Sequence, residues 1–257
     1  MKKHFLLLSI ALAVIFAITG SFRIAAQDVK KNISTDKAKK VKTDITFPAG
    51  KLNINANGKS FCEGFYTYTR DFWKPEISYY EESETGYLDI KVEDDRDHKD
   101  YNDDDDNVWT IAFNPDVRNE FNLEMIAGES NINLQGCKID RFDFDMIAGE
   151  TKINLSNTSV PFFEFKAIAG EARIDLTGDW KNDLDAEIKG GVGELTILLP
   201  SKTGVKVNIT GGLGEVHASG FDKSGRTYSN DLYGKTKSNL YVDITGGIGT
   251  ITLRMED

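Results

Sequence analysis

The 257 residues include only two cysteines and three histidines. Two cysteines cannot build a disulfide-dense scaffold, and three histidines leave little for a histidine-rich metal site. Basic charge is also short: 31 Lys+Arg stand against 41 Asp+Glu, for a net charge of −10. That balance excludes bulk attraction to nucleic acid or to an anionic membrane. One apolar run occurs, at the N-terminus, and no second span or convincing long helix follows it. Proline is scarce, at 5 residues, whereas glycine numbers 23 and proves to be periodic.

The apolar run has the build of an export signal. Met1–His4 is a short basic start, Phe5–Gly20 is apolar, and Ser21–Gln27 reaches small residues with Ala26 as a cleavage site. A retained anchor is the rival reading, since roughly 20 apolar residues span a bilayer. The run is shorter than that, no cysteine marks a lipoprotein route, and cleavage is favoured. Residues 1–26 are therefore expected to be a signal peptide, and the mature form is not expected to span a membrane. Its removal takes Lys2, Lys3 and Arg23 and no acidic residue, which moves the net charge to −13. Residues 27–42 are polar and lysine-rich without periodicity, and read as a disordered leader.

Residues 43–257 read as one repeat-built domain. MIAGE stands at Met125–Glu129 and Met146–Glu150, AIAGE at Ala167–Glu171, then GGVGE at Gly190–Glu194, GGLGE at Gly211–Glu215 and GGIGT at Gly246–Thr250. The last glycine of each falls at 128, 149, 170, 193, 214 and 249, at intervals of 21, 21, 23, 21 and 35 residues. Gly50 in FPAGKLNIN is an earlier, looser copy. Around each glycine, apolar residues alternate with polar ones. Phe121, Leu123 and Met125 precede Gly128, and Ile132 and Leu134 follow it; Phe142, Phe144, Met146, Ile153 and Leu155 repeat the pattern. Period two means strands with one buried face, and the glycine marks a sharp corner between two of them. A lone unit cannot bury its apolar face, so the units must stack. At ~4.8 Å per coil, six coils make a rod of roughly 30 Å. An insertion at 57–120 interrupts the period, with strand candidates at Tyr87–Glu93 and Asn107–Phe113. Gly220–Ser238 interrupts it again as a loop.

NPDVRNEFNLEMIAGESNINL, the recurring AGE units, DLTGDWKNDLDAEIKGGVGELTILLP and the closing GGIGTITL resemble the bacterial toast-rack family. Members are exported or membrane-anchored β-solenoid domains, sometimes labelled "putative adhesins", and similar to the C-terminal domain of cell-wall-stress response proteins in Gram-positive bacteria. The resemblance runs from Thr43 to Leu253 and is weaker between Asn57 and Asp106. It implies an extracytoplasmic location and an interaction role, and brings no catalytic residues with it. The expected fold is all-β: a right-handed, toast-rack-like β-solenoid of about six two-strand coils of about 21 residues, with an inserted β-rich segment.

Several features invite a chemical reading. The glycine-rich corners follow strands as a dinucleotide fingerprint does, yet each leads into another strand rather than a helix. Glu129, Glu150, Glu171, Glu194 and Glu215 follow the corner glycines. In parallel coils they would be neighbours at ~5 Å, each pair repelling by roughly 0.8 kcal/mol in water, with Lys152 and Arg173 placed to offset the charge. Residues 93–106 hold nine acidic residues against Arg96 and Lys99, for a local net charge of −7. Asp103, Asp104, Asp105 and Asp106 are candidate Ca²⁺ ligands there, since hard cations take carboxylate oxygen; a solvated hairpin tip is the plainer reading. The aromatic insertion offers Trp73, Tyr79 and Tyr80 as candidate partner contacts; a satellite core packing the insertion onto the solenoid is the favoured reading. Cys62 and Cys137 are candidates for one disulfide. His98 and His217 sit in no catalytic context, and no carboxylate pair is singled out for glycoside hydrolysis.

No cofactor and no enzymatic activity are expected. The sequence reads as an exported interaction or scaffold module of the bacterial envelope, in the periplasm or at the cell surface, with a tie to envelope stress implied by the resemblance. Its partner would be a protein or an envelope component. A surface adhesin or glycan binder using the aromatic insertion is the alternative, and an enzyme with a dispersed carboxylate site is the third reading.

Overall fold

The computed structural model describes residues 26–92 and 106–257. All of the expected signal peptide but Ala26, and most of the acidic run, lie outside them. Fourteen strands form in chain order: β1 Gln27–Ile33, β2 Lys40–Asn55, β3 Cys62–Tyr68, β4 Pro75–Glu82, β5 Thr85–Val92, β6 Asn107–Phe113, β7 Arg118–Asn133, β8 Ile139–Asn154, β9 Phe162–Asp175, β10 Leu184–Pro200, β11 Gly204–Ser219, β12 Asp222–Ser224, β13 Thr227–Ser229 and β14 Asn239–Glu256. A single 3-10 turn, Asp71–Trp73, is the only helical element among the described residues. The all-β solenoid is what the periodicity calls for, and its toast-rack-like form is what the resemblance implies.

Each repeat is one long strand bent at its glycine. Seven such strands lie parallel in the order β2-β7-β8-β9-β10-β14-β11. Their register is set glycine to glycine: Gly50, Gly128, Gly149, Gly170, Gly193, Gly249 and Gly214 are successive partners. The residue type is dictated twice over. Gly128, Gly149 and Gly170 have φ of 116°, 139° and 129°, where a side chain is strained. A Cβ on any of them would also land on the carbonyl oxygen of the preceding corner glycine.

The bend folds the strand halves into two facing layers: an entry layer before the corner and an exit layer after it. Phe47 of the entry layer meets Trp109 of β6 at 5.0 Å between ring centres, and Phe113 of β6 meets Phe121 of the entry layer at 4.9 Å. Columns of like residues fill the space between. Phe121, Phe142 and Phe163 stack at 6.1 and 5.7 Å, and Ile132, Ile153 and Ile174 oppose them, all buried. Burying each such side chain contributes about 1.5–3 kcal/mol. At the far end of the exit half, Asn133, Asn154 and Asp175 accept the backbone N–H two residues on, at 3.3, 3.0 and 2.9 Å. This side-chain turn ends the strand the same way in three coils.

The order of coils departs from the order of sequence at the C-terminal end. The last strand, β14, lies between β10 and β11 and pairs parallel with both. At the other end the insertion extends both layers. In the entry layer β5 pairs parallel with β2 and β4 antiparallel with β5; in the exit layer β6 pairs parallel with β2, then β3 and β1 follow antiparallel. Residues 27–42, expected as a disordered leader, instead supply β1 and begin β2. The pairing partner explains it: Val29 and Ile33 turn toward the core while the β3 backbone satisfies a segment otherwise polar.

Candidate interaction surfaces

The corner edge carries an apolar ridge. Pairing passes from Met125 to Ala127 and from Met146 to Ala148, skipping the residue between. That residue turns outward. Ile126, Ile147 and Ile168 are 52%, 49% and 64% exposed; the line ends at Gly191 in the next coil, where Val192, the register partner of Ala169, is 58% exposed. Large aliphatic side chains on a regular ridge are a mark of contact surfaces. Strict alternation hid them, although two adjacent apolar residues in MIAGE were the available signal.

One step past the corner runs the carboxylate column. Lys51, Glu129, Glu150, Glu171, Glu194, Thr250 and Glu215 are successive register partners. Lys51 pairs with Glu129 at 3.5 Å. Among the described residues Glu150, Glu171 and Glu194 have no ion pair within 4.0 Å, and Lys152 and Arg173 do not reach them. These side chains line a shallow groove of about 220 Å³. The outer face of the entry layer is different. There Glu164 meets Lys166 at 2.8 Å, Arg141 at 3.5 Å and Lys189 at 3.6 Å, and the bond from Lys166 holds its carboxyl below the usual range.

The insertion divides its aromatics between core and surface. Trp73, a candidate partner contact, is instead 4% exposed and belongs to the interior, as the satellite-core reading has it: a 3-10 turn folds it inward before β4. Tyr79 is half-buried, and its hydroxyl donates to Glu81 at 2.6 Å. Glu81 also accepts the backbone N–H groups of Asp36, Lys37 and Ala38 at 2.8, 2.8 and 3.1 Å. This clamp ties the loop after β1 to β4, and its hydrogen bonds pull the Glu81 carboxyl down to about 2. Tyr80 alone of the three is at the surface, stacked on Tyr87 with ring centres 4.9 Å apart.

The remaining candidates are quickly placed. Asp103, Asp104 and Asp105 lie outside the described residues, as does His98. Asp106 is exposed and joined to Thr69 through its backbone, with both N–H···O bonds at 3.0 Å. No group of three or more His, Cys, Asp and Glu side chains suited to a metal occurs among the described residues. Cys62 and Cys137 are both buried free thiols rather than a bridge, and burial pushes each up to about 12. His217 Nε2 lies 3.3 Å from Glu215 on the surface.

At the C-terminal end the inner face near the corner changes character. The position three before the corner glycine runs Phe47, Met125, Met146, Ala167, Gly190, Gly246, Gly211 along the stack. The facing position carries Ser130 and Thr151, hydrogen-bonded at 2.5 Å, then Ala172, Leu195, Ile251 and Val216. The later aliphatics do not fill the space the glycines vacate. A cleft of about 90 Å³ remains, walled by Ile188, Ile209, Ile244, Leu195, Val216 and Ile251.

These corner motifs and bent strands have a counterpart among known sequences. The family described as "N-terminal domain of toast_rack, DUF2154" matches residues 24–167 and 146–198. The chain belongs to the toast-rack family. The second match overlaps the first, as a sequence of like repeats allows. No curated protein matches the chain. Among solved structures, a "putative cell adhesion protein" from Clostridium sporogenes ATCC 15579 is 29% identical, covering 90% of this chain and 100% of its own, with a TM-score of 0.71. A "putative adhesin" from Bacteroides fragilis NCTC 9343 is 10% identical over 88% of this chain and 97% of its own, at a TM-score of 0.29. A "putative lipid binding protein" from Parabacteroides distasonis ATCC 8503 is 12% identical over 90% of this chain and 95% of its own, at 0.26; neither of these two carries structural weight.

The toast-rack matches span β1 to nearly the end of β10. The exchanged coils β11 and β14, the hairpin β12–β13 and most of the C-terminal end lie beyond them. Among the described residues, no helix is long and apolar enough to cross a membrane.

Proposed function

We propose that this toast-rack protein is an exported, non-catalytic interaction and scaffold module of the bacterial cell envelope. The observation that carries the reading is the ridge of Ile126, Ile147 and Ile168, half or more exposed on coils that bury Ile132, Ile153 and Ile174. A stack held in register at every corner presents that ridge, and the carboxylate column beside it, as fixed rows. The Clostridium sporogenes relative, named as a putative cell adhesion protein, supports a binding role rather than a catalytic one. The partner is a protein or another envelope component, and a link to envelope stress is the finer form of the proposal.

Binding of the labelled mature protein to envelope fractions of its native cells tests this. Ile147→Asp combined with Ile168→Asp leaves the inner core untouched and is expected to abolish binding. Undiminished binding contradicts the reading. Tyr80, exposed and stacked on the part-buried Tyr87, favours a second one, a sugar-binding platform. It requires glycan-array signal that Tyr80→Ala removes.

A further inference from the structure

The outer strand edges of the two layers are guarded unequally. At the N-terminal end the entry layer finishes with β4, which starts at Pro75 and carries Glu76, Glu81 and Glu82; the exit layer finishes with β1, which carries Lys30 and Lys31. Proline and charge are the usual means of blunting an edge. At the C-terminal end the entry half of β11 is covered, because Lys206–Asn208 pair with β13 and β13 pairs with β12. The backbone bonds Ile209 N–H to Arg226 and Asn230 N–H to Val205 complete that cover. The bend and the exit half after it, Gly211–Ser219, pair with β14 on one side and with no described strand on the other. Beside Glu215 it carries only His217, whose Nε2 lies 3.3 Å from the Glu215 carboxylate.

Three further facts describe what would fit there. The hairpin carries the entry layer two strands beyond β11, so the exit layer ends in a step roughly 10 Å deep. A second copy meeting this edge in two-fold fashion would drive its own hairpin into the same step, whereas a single extended segment fits beside it. The cleft reaches this edge at Gly214 and Val216, and 90 Å³ is smaller than the ~150 Å³ that admits benzene. It therefore suits one aliphatic side chain. Finally, the carboxylate column ends here in Glu215, while at its opposite end Lys51 stands beside Glu129 at 3.5 Å. A strand added next to β11 would place one residue beside Glu215 and the next over the cleft.

We propose that the exit half of β11 takes up an extended segment of a partner protein as an added strand. The segment carries a Lys or Arg beside Glu215 and an aliphatic residue, of about valine size, in the cleft. Backbone pairing supplies the affinity and these two side chains the selectivity. The inference rests on the reading of the protein as an interaction module and names the partner's chemistry.

The probe is a short synthetic peptide alternating valine and threonine with one central lysine on the threonine face. Added to the mature protein, it is expected to slow hydrogen exchange in Gly211–Ser219 and to leave β1 and β4 unchanged. Replacing its lysine by glutamate is expected to weaken binding roughly tenfold, about 1.4 kcal/mol. Glu215→Lys, an exposed change, should reverse that preference. Slowed exchange at β1 or β4 instead overturns the assignment, as does absence of protection at millimolar peptide. Concentration-dependent dimerisation that already protects Gly211–Ser219 overturns it in favour of self-pairing. If the peptide fails while the ridge variants still lose envelope binding, the edge assignment alone is wrong; if the ridge variants bind normally, the module reading fails separately.

Discussion

The two ends of the stack solve the same problem differently. A pile of coils exposes a strand edge in each layer at both ends. At the N-terminal end, 57–120 extends each layer by a parallel strand and then an antiparallel one, and fills the gap between them with bulk: Trp109 packs against Phe47 and Tyr66 at 5.0 and 5.4 Å. At the C-terminal end a small hairpin covers one layer, the inner positions shrink to Gly190, Gly246 and Gly211, and a cleft opens. The N-terminal end is finished as a cap. The C-terminal end keeps unpaired backbone and unfilled apolar space side by side, which in a strand-based protein is the makings of a binding edge.

The largest test of this difference is deletion. Removing 239–257 withdraws β14 from between β10 and β11, so exchange protection should collapse in both neighbours while β7–β9 stay protected. Removing 27–33 takes away only an outermost strand and should leave the melting transition within a few degrees. Equal effects would mean that β14 is not the inner strand.

Corner glycines give the next contrast. Gly149→Ala places a Cβ on the Gly128 carbonyl oxygen at a φ of 139° and is expected to cost about 2–4 kcal/mol in denaturant unfolding. Gly190 has nothing within 4 Å of an added Cβ, so Gly190→Ala should fall within about 0.5 kcal/mol of the parent or stabilise it by reducing unfolded-chain freedom. A similar loss at both sites would remove the distinction between a tight middle and a loose end.

The smallest effect concerns the cap alone. Glu81 is depressed from 4.5 to about 2 in the folded chain. Its contribution is fully present above pH 4.5 and is lost as pH falls toward 2. Amide signals of Asp36, Lys37 and Ala38 should therefore shift in that window, with the C-terminal hairpin unaffected. Glu81→Gln should abolish the acid-dependent shift.

Much of this architecture was legible in the chain. Alternation about each glycine assigned Phe121, Phe142, Ile132 and Ile153 to the core, and the strands at Thr85–Val92 and Asn107–Phe113 fall where the insertion suggested them. Other parts lacked a local signature. β11 and β14 present the same alternation, as VKVNITGG and LYVDITGG, so nothing in either says which lies beside β10. β1 is polar because only one side of a terminal strand is buried. Whether Trp73 faces core or surface was not legible, because a short turn, rather than strand alternation, decides its direction. The ridge isoleucines occupy the one position per coil where pairing skips a residue, and a strict period-two reading passes over such a position.

The central claim is that one strand, β11, is finished in its entry half and open in its exit half. Segment-resolved hydrogen exchange on the peptide-free protein measures this within a single strand. The account predicts slow exchange at Lys206–Ile209, under the hairpin, and markedly faster exchange at Gly211–Ser219, with β14 slow throughout. Equal protection of both halves of β11 would contradict it.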